Sequence, residues 1–563
     1  MKNRNKQPVQ LLSQDEYYDL GSFHRPVTTN SEIAQKWFDR GLIWTYAFNH
    51  EEAALCFEKA IIHDPECVMA YWGLAYSLGP NYNKSWDAFD EVDRVKSLER
   101  THLAATQAKA KYSKASLVER ALIDALQFRY PQETPAKDFS LWNLRYAKAM
   151  GSVYEDFSGD LDVAALYVDS LMSLTPWKLW DLPTGEPAKG ARTIEAKGVL
   201  EKALSTEAGL THPGLLHLYI HLMEMSSTPE IGLTIADHLR GLVPDSGHLN
   251  HMPTHLDIQC GDYRRTIASN SDAIKADEKF LAHRGPLNFY TLYRVHNYHF
   301  RIYAAMFSGQ SVVAIQTVAE LEASFSDNLL RTESPPMADY LEAFRGMRVH
   351  VLIRFGLWQD LKDLPIPPNP ELYCMTTALI HYGKGIALAA TGQVKEAKDE
   401  RALFLEAVKR VPDSRTMFNN KCSDILVIAA AMLDGEILYR EADFDSAFKS
   451  LRQSIHLADT LHYDEPWGWM LPPRHAYGAL LLEQGYLDEA AAVYSADLGM
   501  DDSLPRALRH INNVWALHGY HECLLKLGRD AEARIIAPQL KLALAVADVP
   551  IRSSCLCRLE AST

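Results

Sequence analysis

The sequence predicts an all-α protein in which pairs of helices stack one after another as a solenoid. Its 563 residues exceed what one compact core usually holds, so either several domains or a repeat array is expected. A short turn followed by alanine recurs as GQVKEA, GYLDEA and GRDAEA, and no series of alternating strands and hairpins is present. A glycine and an alanine also recur twelve residues apart, at Gly41/Ala53, Gly385/Ala397, Gly435/Ala447 and Gly478/Ala490.

The first helix pair is the clearest. In AQKWFDRGLIWTYAFNHEEAALCFEKAIIHDP, small residues at Gly41 and Ala53 allow two helices to cross closely, and Pro65 ends the second helix. The signature residues of this window are Trp37, Gly41, Ala53, Phe57, Ala60 and Pro65. It resembles a tetratricopeptide repeat, and the resemblance implies a right-handed superhelix whose first helices line a concave groove.

The remaining chain is more divergent but still helical. Residues 86–129 mix charged and apolar residues at helical period and contain no Gly or Pro. Loops are expected near residues 130–135 and 180–192, and PIPPNPE interrupts the pattern near residue 365. We therefore predict three regions: N-terminal repeats in 1–130, a histidine-rich region in 131–365 and C-terminal repeats in 366–563.

The composition argues against some classes of binding partner. The net charge of −15 argues against nucleic acid or an anionic membrane as a partner, because both require a basic surface. The N-terminus lacks the apolar run of a signal peptide, and no segment approaches a membrane span. The eight cysteines are scattered except for Cys555 and Cys557, which could bind a soft metal or form a redox pair. A reducing, cytoplasmic location is expected.

Histidines are concentrated in the central region. Ten of the 22 lie between His212 and His299, where an even spread would place three or four. Three segments about one repeat apart carry them at helical spacing, which places each set on one helix face. The sets are His217/His221/Glu224, His248/His251/His255 and His296/His299.

This spacing predicts a transition-metal centre, because neutral imidazole binds Zn, Cu, Fe and Ni, and one helix can supply two ligands. The expected ligands are His217, His221, His251, His255, His296 and His299. His248 is a further ligand or supporting group, and Glu224 a ligand or general base. Seven histidines suit two ions, or one ion with a proton-handling shell. Copper is the first candidate, with iron and zinc as alternatives. The competing interpretation is a structural layer of hydrogen-bonded histidines.

Four residues are candidates for binding a substrate. Glu186 and Arg192 lie on a Pro/Gly-bent loop before the histidine region, Tyr293 lies among the aromatics of the third segment, and His475 begins a repeat's first helix. For each of them a structural role, in a loop, a core or a salt bridge, is the simpler alternative.

Several segments together are similar to a family of uncharacterised tetratricopeptide-repeat proteins of about this length. The matching stretches include RPVTTNSEIAQKWFDRGLIWTYAFNHEEA, LPTGEPAKGART, HPGLLHLYIHLMEMS, GLVPDSGHLNHMPTHLDIQCGDYRR and SSCLCR. The resemblance implies a fold but no settled reaction.

Three functions are therefore considered. The first is a copper-dependent oxidoreductase that uses oxygen and acts on a small molecule in the groove. The second is a hydrolase with the same ligands, in which zinc activates water. The third is a non-catalytic scaffold that binds a peptide or protein. The sequence has no Walker loop, GxGxxG after a strand, GxSxG or HExxH, so nucleotide-dependent chemistry and familiar hydrolase elbows are unsupported.

Overall fold

A computed structural model describes residues 17–559, which form two compact units. The first contains residues 17–256 and Ser269–Arg294, and the second contains Asp257–Ala268 and residues 295–559. The structure describes almost only helices in this part of the chain. No helix among the described residues combines the length and apolar character needed to cross a membrane.

In the first unit, neighbouring helices pack against each other in chain order, α1 against α2, α2 against α3 and so on through α9. Their bounds are α1 Glu32–Tyr46, α2 His50–His63, α3 Val68–Leu78, α4 Glu91–Lys111, α5 Leu117–Arg129, α6 Ser140–Asp156, α7 Leu161–Met172, α8 Thr193–Leu204, α9 Pro213–Met223, α10 Leu233–Asp237 and α11 Gly247–His251. Short 3-10 helices occur at Trp86–Ala88, Tyr112–Lys114, Gly209–Thr211 and Pro229–Gly232.

The chain passes between the units within three helices, which are α12 Thr254–Gln259, α13 Tyr263–Arg284 and α14 Thr291–Phe307. The second unit continues with α15 Ser311–Ala323, α16 Asp327–Leu330, α17 Met337–Leu341, α18 Met347–Arg354, α19 Trp358–Lys362, α20 Cys374–Ala390, α21 Val394–Val408, α22 Cys422–Arg440, α23 Phe444–Asp459, α24 Pro473–Glu483, α25 Leu487–Asp497, α26 Val514–Lys526 and α27 Asp530–Leu544. It also contains 3-10 helices at Glu342–Gly346 and Arg506–Leu508, and two short antiparallel strands, β1 Thr416–Met417 and β2 Asn420–Lys421.

The predicted helix pairs are confirmed. Each of the four glycine–alanine spacings places its glycine on one helix and its alanine on the next, in the pairs α1–α2, α20–α21, α22–α23 and α24–α25. All four alanines are fully buried. A Cβ on Gly41 would lie 2.8 Å from the Phe57 ring, so glycine is what permits the close crossing of α1 and α2. The second helix ends at His63, just before Pro65, as predicted. The fold class is all-α, built from stacked tetratricopeptide-like helix pairs.

One predicted helix is shorter than expected. The sequence favours a helix from Pro229 to Leu242, whereas the structure has a 3-10 turn at Pro229–Gly232 and α10 ending at Asp237. Turns then lead to Gly241, whose φ of +69° is left-handed and interrupts any continuation of the helix. The division into three regions with boundaries near residues 130 and 365 stays a prediction.

Candidate metal centre

Helix α9 carries the first histidine pair and is buried along its whole length. It begins with Pro213 at its first position, and the Nδ1 atom of His212 caps it by accepting the Leu215 amide at 3.2 Å. His212 is in turn paired through Nε2 with Asp162 at 3.2 Å. These contacts fix the start of α9, so the positions of His217 and His221, one turn apart, follow from the helix geometry.

The second histidine segment is broken into two short helices. Ser246 caps α11 by accepting the Leu249 amide at 3.4 Å, and α11 ends at His251 shortly before Pro253. His255 begins the next turn, in α12. The sequence allowed either one continuous helix or a break at Pro253, and the break is what the structure has, because proline offers no amide hydrogen to a helix.

Three histidines of the first unit converge. One ring nitrogen from each of His217, His221 and His248 lies within 4.8 Å of the other two. The ring of His217 is 4.8 Å from that of His221 and 4.9 Å from that of His248, measured between centroids. All three side chains are at most 1% exposed. Two neighbouring chain segments, α9 and α11, thus direct three imidazoles to one point.

The Nδ1 atoms of His217 and His221 each lie against an acceptor oxygen. His217 Nδ1 lies 2.6 Å from the backbone oxygen of Tyr46, and His221 Nδ1 lies 2.9 Å from Glu224 Oε1. An Nδ1–H that donates to oxygen leaves Nε2 with an unprotonated lone pair, and within residues 17–559 the Nε2 atoms of His217 and His221 have no hydrogen-bond partner. Metal-binding histidines commonly have this arrangement, in which carboxylate or carbonyl oxygens fix the tautomer.

His251 and His255 repeat the same arrangement next to it. Nδ1 of His251 lies 2.7 Å from Asn270 Oδ1, and Nδ1 of His255 forms a short contact with Glu224 Oε2. Their Nε2 atoms lie 2.8 Å apart. When both Nδ1 atoms donate to oxygen, two lone pairs face each other at this distance, and a proton or a metal ion between them removes the repulsion.

Glu224 links the two histidine pairs. It is fully buried, with one carboxylate oxygen on His221 and the other on His255. Burial raises the pKa of this carboxyl, but the neighbouring His221 and His255 outweigh burial and hold the pKa below its ordinary value. Glu224 is therefore an anion at neutral pH.

His217, His251 and His255 are neutral at physiological pH. Burial lowers the pKa of His217 and of His251 well below the ordinary value of 6.5, and the neighbouring imidazoles lower it further. Burial also lowers the pKa of His255, although Glu224 opposes the shift. Neutral imidazole is the form that binds metal ions, so the environment keeps these ligands available.

Aromatic side chains enclose the three converging histidines. The ring of Phe48 lies 4.4 Å from His217 and stacks on His221 at 5.8 Å, and Tyr293 lies 4.6 Å from His248. Tyr82 lies 5.0 Å from His221. Phe48 has a positive φ of 55°, which is uncommon for a large side chain and concentrates at functional sites. Tyr293 was among the sequence candidates.

Sequence reasoning missed the supporting residues Tyr46, Phe48, Tyr82 and Asn270. Tyr46 and Phe48 stand in the turn of the first repeat, about 170 residues before α9, so helical spacing carried no signal for them. A small cavity adjoins His217 on this side and is also lined by Tyr46, Phe48, His50 and Tyr76. It leaves space of about the size of a water molecule beside the His217 ring.

Each of the other predicted site residues also makes contacts within its own unit. Glu186 and Arg192 are exposed, and Arg192 pairs with Glu195 at 3.6 Å. In the second unit, His296 contacts the Phe418 ring at 4.9 Å, and Nε2 of His299 lies 2.8 Å from the Met470 sulfur. His475, also in that unit, is paired with Asp497. Their assignments as ligands or substrate contacts stay predictions.

Comparison with known proteins gives structural matches only. No family model and no curated protein matches the sequence. One solved structure, the APC/C hetero-tetramer Cut9-Hcn1, aligns at 13% identity and a TM-score of 0.31, covering 89% of this chain and 78% of that one. Naa15/Naa10 bound to HypK-THB aligns at 14% and 0.21, covering 90% and 70%. Yeast Tom70 aligns at 11% and 0.24, covering 90% and 99%.

The class of the protein rests on its own helix pairs. Their glycine–alanine crossings and their packing in chain order define a tetratricopeptide-like helical-repeat protein. Within the first unit, that repeat framework surrounds one histidine group, His217, His221 and His248, whose ligand atoms are close enough for a metal ion.

Proposed function

We propose that this chain binds a transition metal through His217, His221 and His248, with His251 and His255 forming an adjoining ligand pair. The observation that carries the proposal is the orientation of four imidazoles. His217, His221, His251 and His255 each have Nδ1 on an acceptor oxygen. The Nε2 lone pairs of these residues are then left for a metal. The histidine-rich segments also support membership in the uncharacterised tetratricopeptide family described above.

The ligand chemistry favours copper, with zinc and iron as alternatives. Imidazole suits all three, and a donor set dominated by histidines, with Glu224 as the neighbouring carboxylate, leans towards copper or zinc. Both oxygens of Glu224 lie on histidine nitrogens, so Glu224 serves to orient His221 and His255, and its negative charge would balance that of a bound ion without contacting it. The two groups of histidines would hold one ion or two.

The proposed reaction is oxidation of a small molecule. The centre is buried among aromatic rings, and a small cavity lies beside His217, which suits a compact co-substrate such as dioxygen. A bound copper ion would supply one-electron chemistry. The chain's own contribution is to exclude water through Phe48 and the neighbouring rings and to keep four imidazoles oriented and unprotonated. A zinc hydrolase with the same ligands is the alternative reaction.

Metal content of untagged full-length protein tests the proposal. After purification and after reconstitution with copper or zinc, we expect at least one equivalent of one metal per chain by elemental analysis. We expect the H217A/H221A double variant to retain less than a tenth of it at equal helicity by circular dichroism. The proposal fails if the wild type holds no stoichiometric metal under any of these conditions, or if the double variant holds as much as the wild type.

A second measurement separates the two reactions. Copper ligated by imidazoles should give a visible or paramagnetic signal in some oxidation state and metal-dependent oxygen uptake with a reductant, whereas zinc has a filled d shell and gives neither signal. If the protein holds stoichiometric zinc and takes up no oxygen, the zinc hydrolase becomes the proposed function.

The second candidate function is a scaffold that binds a peptide or protein. Stacked helix pairs form extended surfaces that suit this role, and the described fold has that architecture. Under this alternative, the histidines are a polar hydrogen-bonding layer, and their substitution changes stability without any effect of metal. A cytoplasmic location is proposed for either function, supported by six of the eight cysteines being free thiols.

A further inference from the structure

The C-terminal Cys-Leu-Cys segment of the second unit contains a disulfide between Cys555 and Cys557. The other six cysteines are free. A disulfide that closes a loop with a single intervening residue restricts the unfolded chain very little and connects no separate elements. A structural purpose therefore does not account for it. In reducing compartments, disulfides are usually transient and either catalytic or redox-sensing.

The segment is held rigidly by neighbouring side chains. Ser554 donates its hydroxyl to the backbone oxygen of His475 at 2.7 Å, and Arg354 Nη1 donates to the backbone oxygen of Ser554 at 2.9 Å. The guanidinium of Arg440 donates to the backbone oxygen of Cys557. Because the backbone is fixed on both sides of the pair, the two sulfurs have defined and different surroundings.

The two cysteines differ as the partners of a redox pair do. Cys555 is partly exposed, whereas Cys557 is only 2% exposed. The Cys557 amide donates to Cys555 Sγ at 3.3 Å, a contact that stabilises a thiolate on Cys555. Thiol–disulfide exchange requires one sulfur that is accessible and leaves easily as a thiolate, with a buried sulfur as its partner.

A cavity adjoins the pair and contains a buried cation. It is lined by Arg354, Tyr382, Glu436, His475, Cys555 and Cys557, among others. Arg354 is 6% exposed, and its Nε has no hydrogen-bond partner among the described residues. Burial lowers the pKa of Arg354 to about 9, against the opposing effect of Asp497, so the guanidinium is still mainly cationic at pH 7. A carboxylate in the cavity would accept a hydrogen bond from this Nε and pair with the guanidinium.

We propose that Cys555–Cys557 is a redox-active disulfide that oxidises small thiols carrying a carboxylate, which bind in this cavity near Arg354. The thiolate of one substrate attacks Cys555 Sγ, the Sγ–Sγ bond breaks, and Cys557 leaves as a thiolate that takes up a proton. A second thiolate attacks the substrate sulfur of the mixed disulfide, and Cys555 leaves. Two thiols become one disulfide, and their two electrons reduce the cysteine pair. This activity is independent of the proposed metal centre.

The first test uses the wild-type full-length protein after treatment with a chelator. Glutathione and its diethyl ester are compared at equal thiolate concentration, with acid quenching, alkylation and mass analysis of the C-terminal peptide. We expect reduction of the pair by glutathione at least tenfold faster than by the ester, because only glutathione offers carboxylates to Arg354. Equal rates of reduction by glutathione and by its ester would overturn the assignment of this cavity as the thiol-binding site. A pair that neither thiol reduces, or that never forms in oxidised glutathione, would overturn the redox assignment.

The second test assigns the attacked sulfur. With oxidised glutathione as the probe, C557S should form a mixed disulfide at Cys555 at least tenfold faster than C555S forms one at Cys557. Cys260, the other partly exposed cysteine, is the internal reference and should react equally in both variants. Rates within twofold of each other at Cys555 and Cys557 would contradict the proposal. The rates should persist in H217A/H221A, so this test and the metal test fail separately.

Discussion

At the residue scale, His217, His221 and His251 each have Nδ1 on an oxygen of the protein, which leaves Nε2 for the proposed metal. The oxygen partners come from different sources: the backbone of Tyr46, the carboxylate of Glu224 and the amide of Asn270. The i and i+4 spacing on α9 could be predicted from sequence, because a helix has a fixed period. The oxygen partners could not, since Tyr46 is 171 residues from His217.

Replacing His217 by alanine should lower metal affinity by at least about 100-fold, because an incomplete ligand set binds far more weakly. Calorimetric titration with the chosen metal measures the effect. His63→Ala is the matched control, because His63 is exposed at the end of α2. His102→Ala is a second control outside the centre, although His102 lies 2.9 Å from the Tyr130 backbone oxygen. Equal affinities in H217A and H63A would rule out His217 as a ligand.

Glu224→Gln should lower metal affinity by about 10- to 100-fold without abolishing binding, because the carboxylate orients two ligands rather than contacting the ion. Glutamine keeps the shape but loses the charge, and it cannot accept from both histidines through oxygen. The same titration measures the change. Complete loss of metal would instead mean that Glu224 is a direct ligand, and an unchanged affinity would remove it from the centre.

His475 should make stability depend on pH. Burial lowers its pKa to about 4, despite Asp497, so the folded state resists protonation while the unfolded state takes up a proton near pH 6.5. The unfolded state then binds more protons between these values, and stability falls as pH drops from 6.5 to 4 by up to about 3 kcal/mol. Denaturant unfolding should show a shallower decline for H475Q than for the wild type. An equally steep decline of stability in H475Q and the wild type would contradict the assignment of this pH dependence to His475.

At the scale of helices, the repeat pairs depend on close crossings that only glycine allows. Gly41 on α1 and Gly73 on α3 both face the Phe57 ring of α2, so three consecutive helices meet at one aromatic side chain. The sequence pattern revealed Gly41, which belongs to the twelve-residue spacing. It did not reveal Gly73, since that contact joins one repeat to the next.

Gly73→Ala should destabilise the protein by about 1–3 kcal/mol, because the new Cβ would lie 2.3 Å from the Phe57 ring in a packed core. Gly198→Ala is the control: Gly198 is exposed within α8, and nothing lies within 4 Å of an added Cβ. The control should be neutral or stabilising by up to about 1 kcal/mol, through helix propensity. Chemical denaturation compares them, and equal effects would contradict the close-crossing explanation.

At the scale of the whole molecule, metal binding should couple to folding, because the unfolded chain does not bring α9 and α11 together. The net charge of −15 also favours accumulation of cations around the protein. The three histidines of the first unit whose ligand atoms lie close together are all buried. A bound ion and the folded helices would therefore stabilise each other.

Thermal unfolding should therefore shift upwards with metal concentration. At a free metal concentration of 100 times Kd, the expected gain in unfolding free energy is about 2.7 kcal/mol. Calorimetry with and without metal measures it, and circular dichroism should show the same helical content in both states. H63A should keep the gain, while H217A/H221A should lose it. An equal gain in the double variant would point to metal binding elsewhere.

The sequence by itself determined the fold class and indicated the histidine segments that supply the proposed site. Helix pairs follow from local period, turn residues and the glycine–alanine spacing, all of which act within about 34 residues. It also placed His217, His221 and Glu224 on one face. Only the tertiary structure decided which oxygen holds each imidazole, that Phe48 closes the centre and that Cys557 is buried while Cys555 is accessible. These depend on contacts between segments far apart in the chain, and no local spacing encodes such contacts.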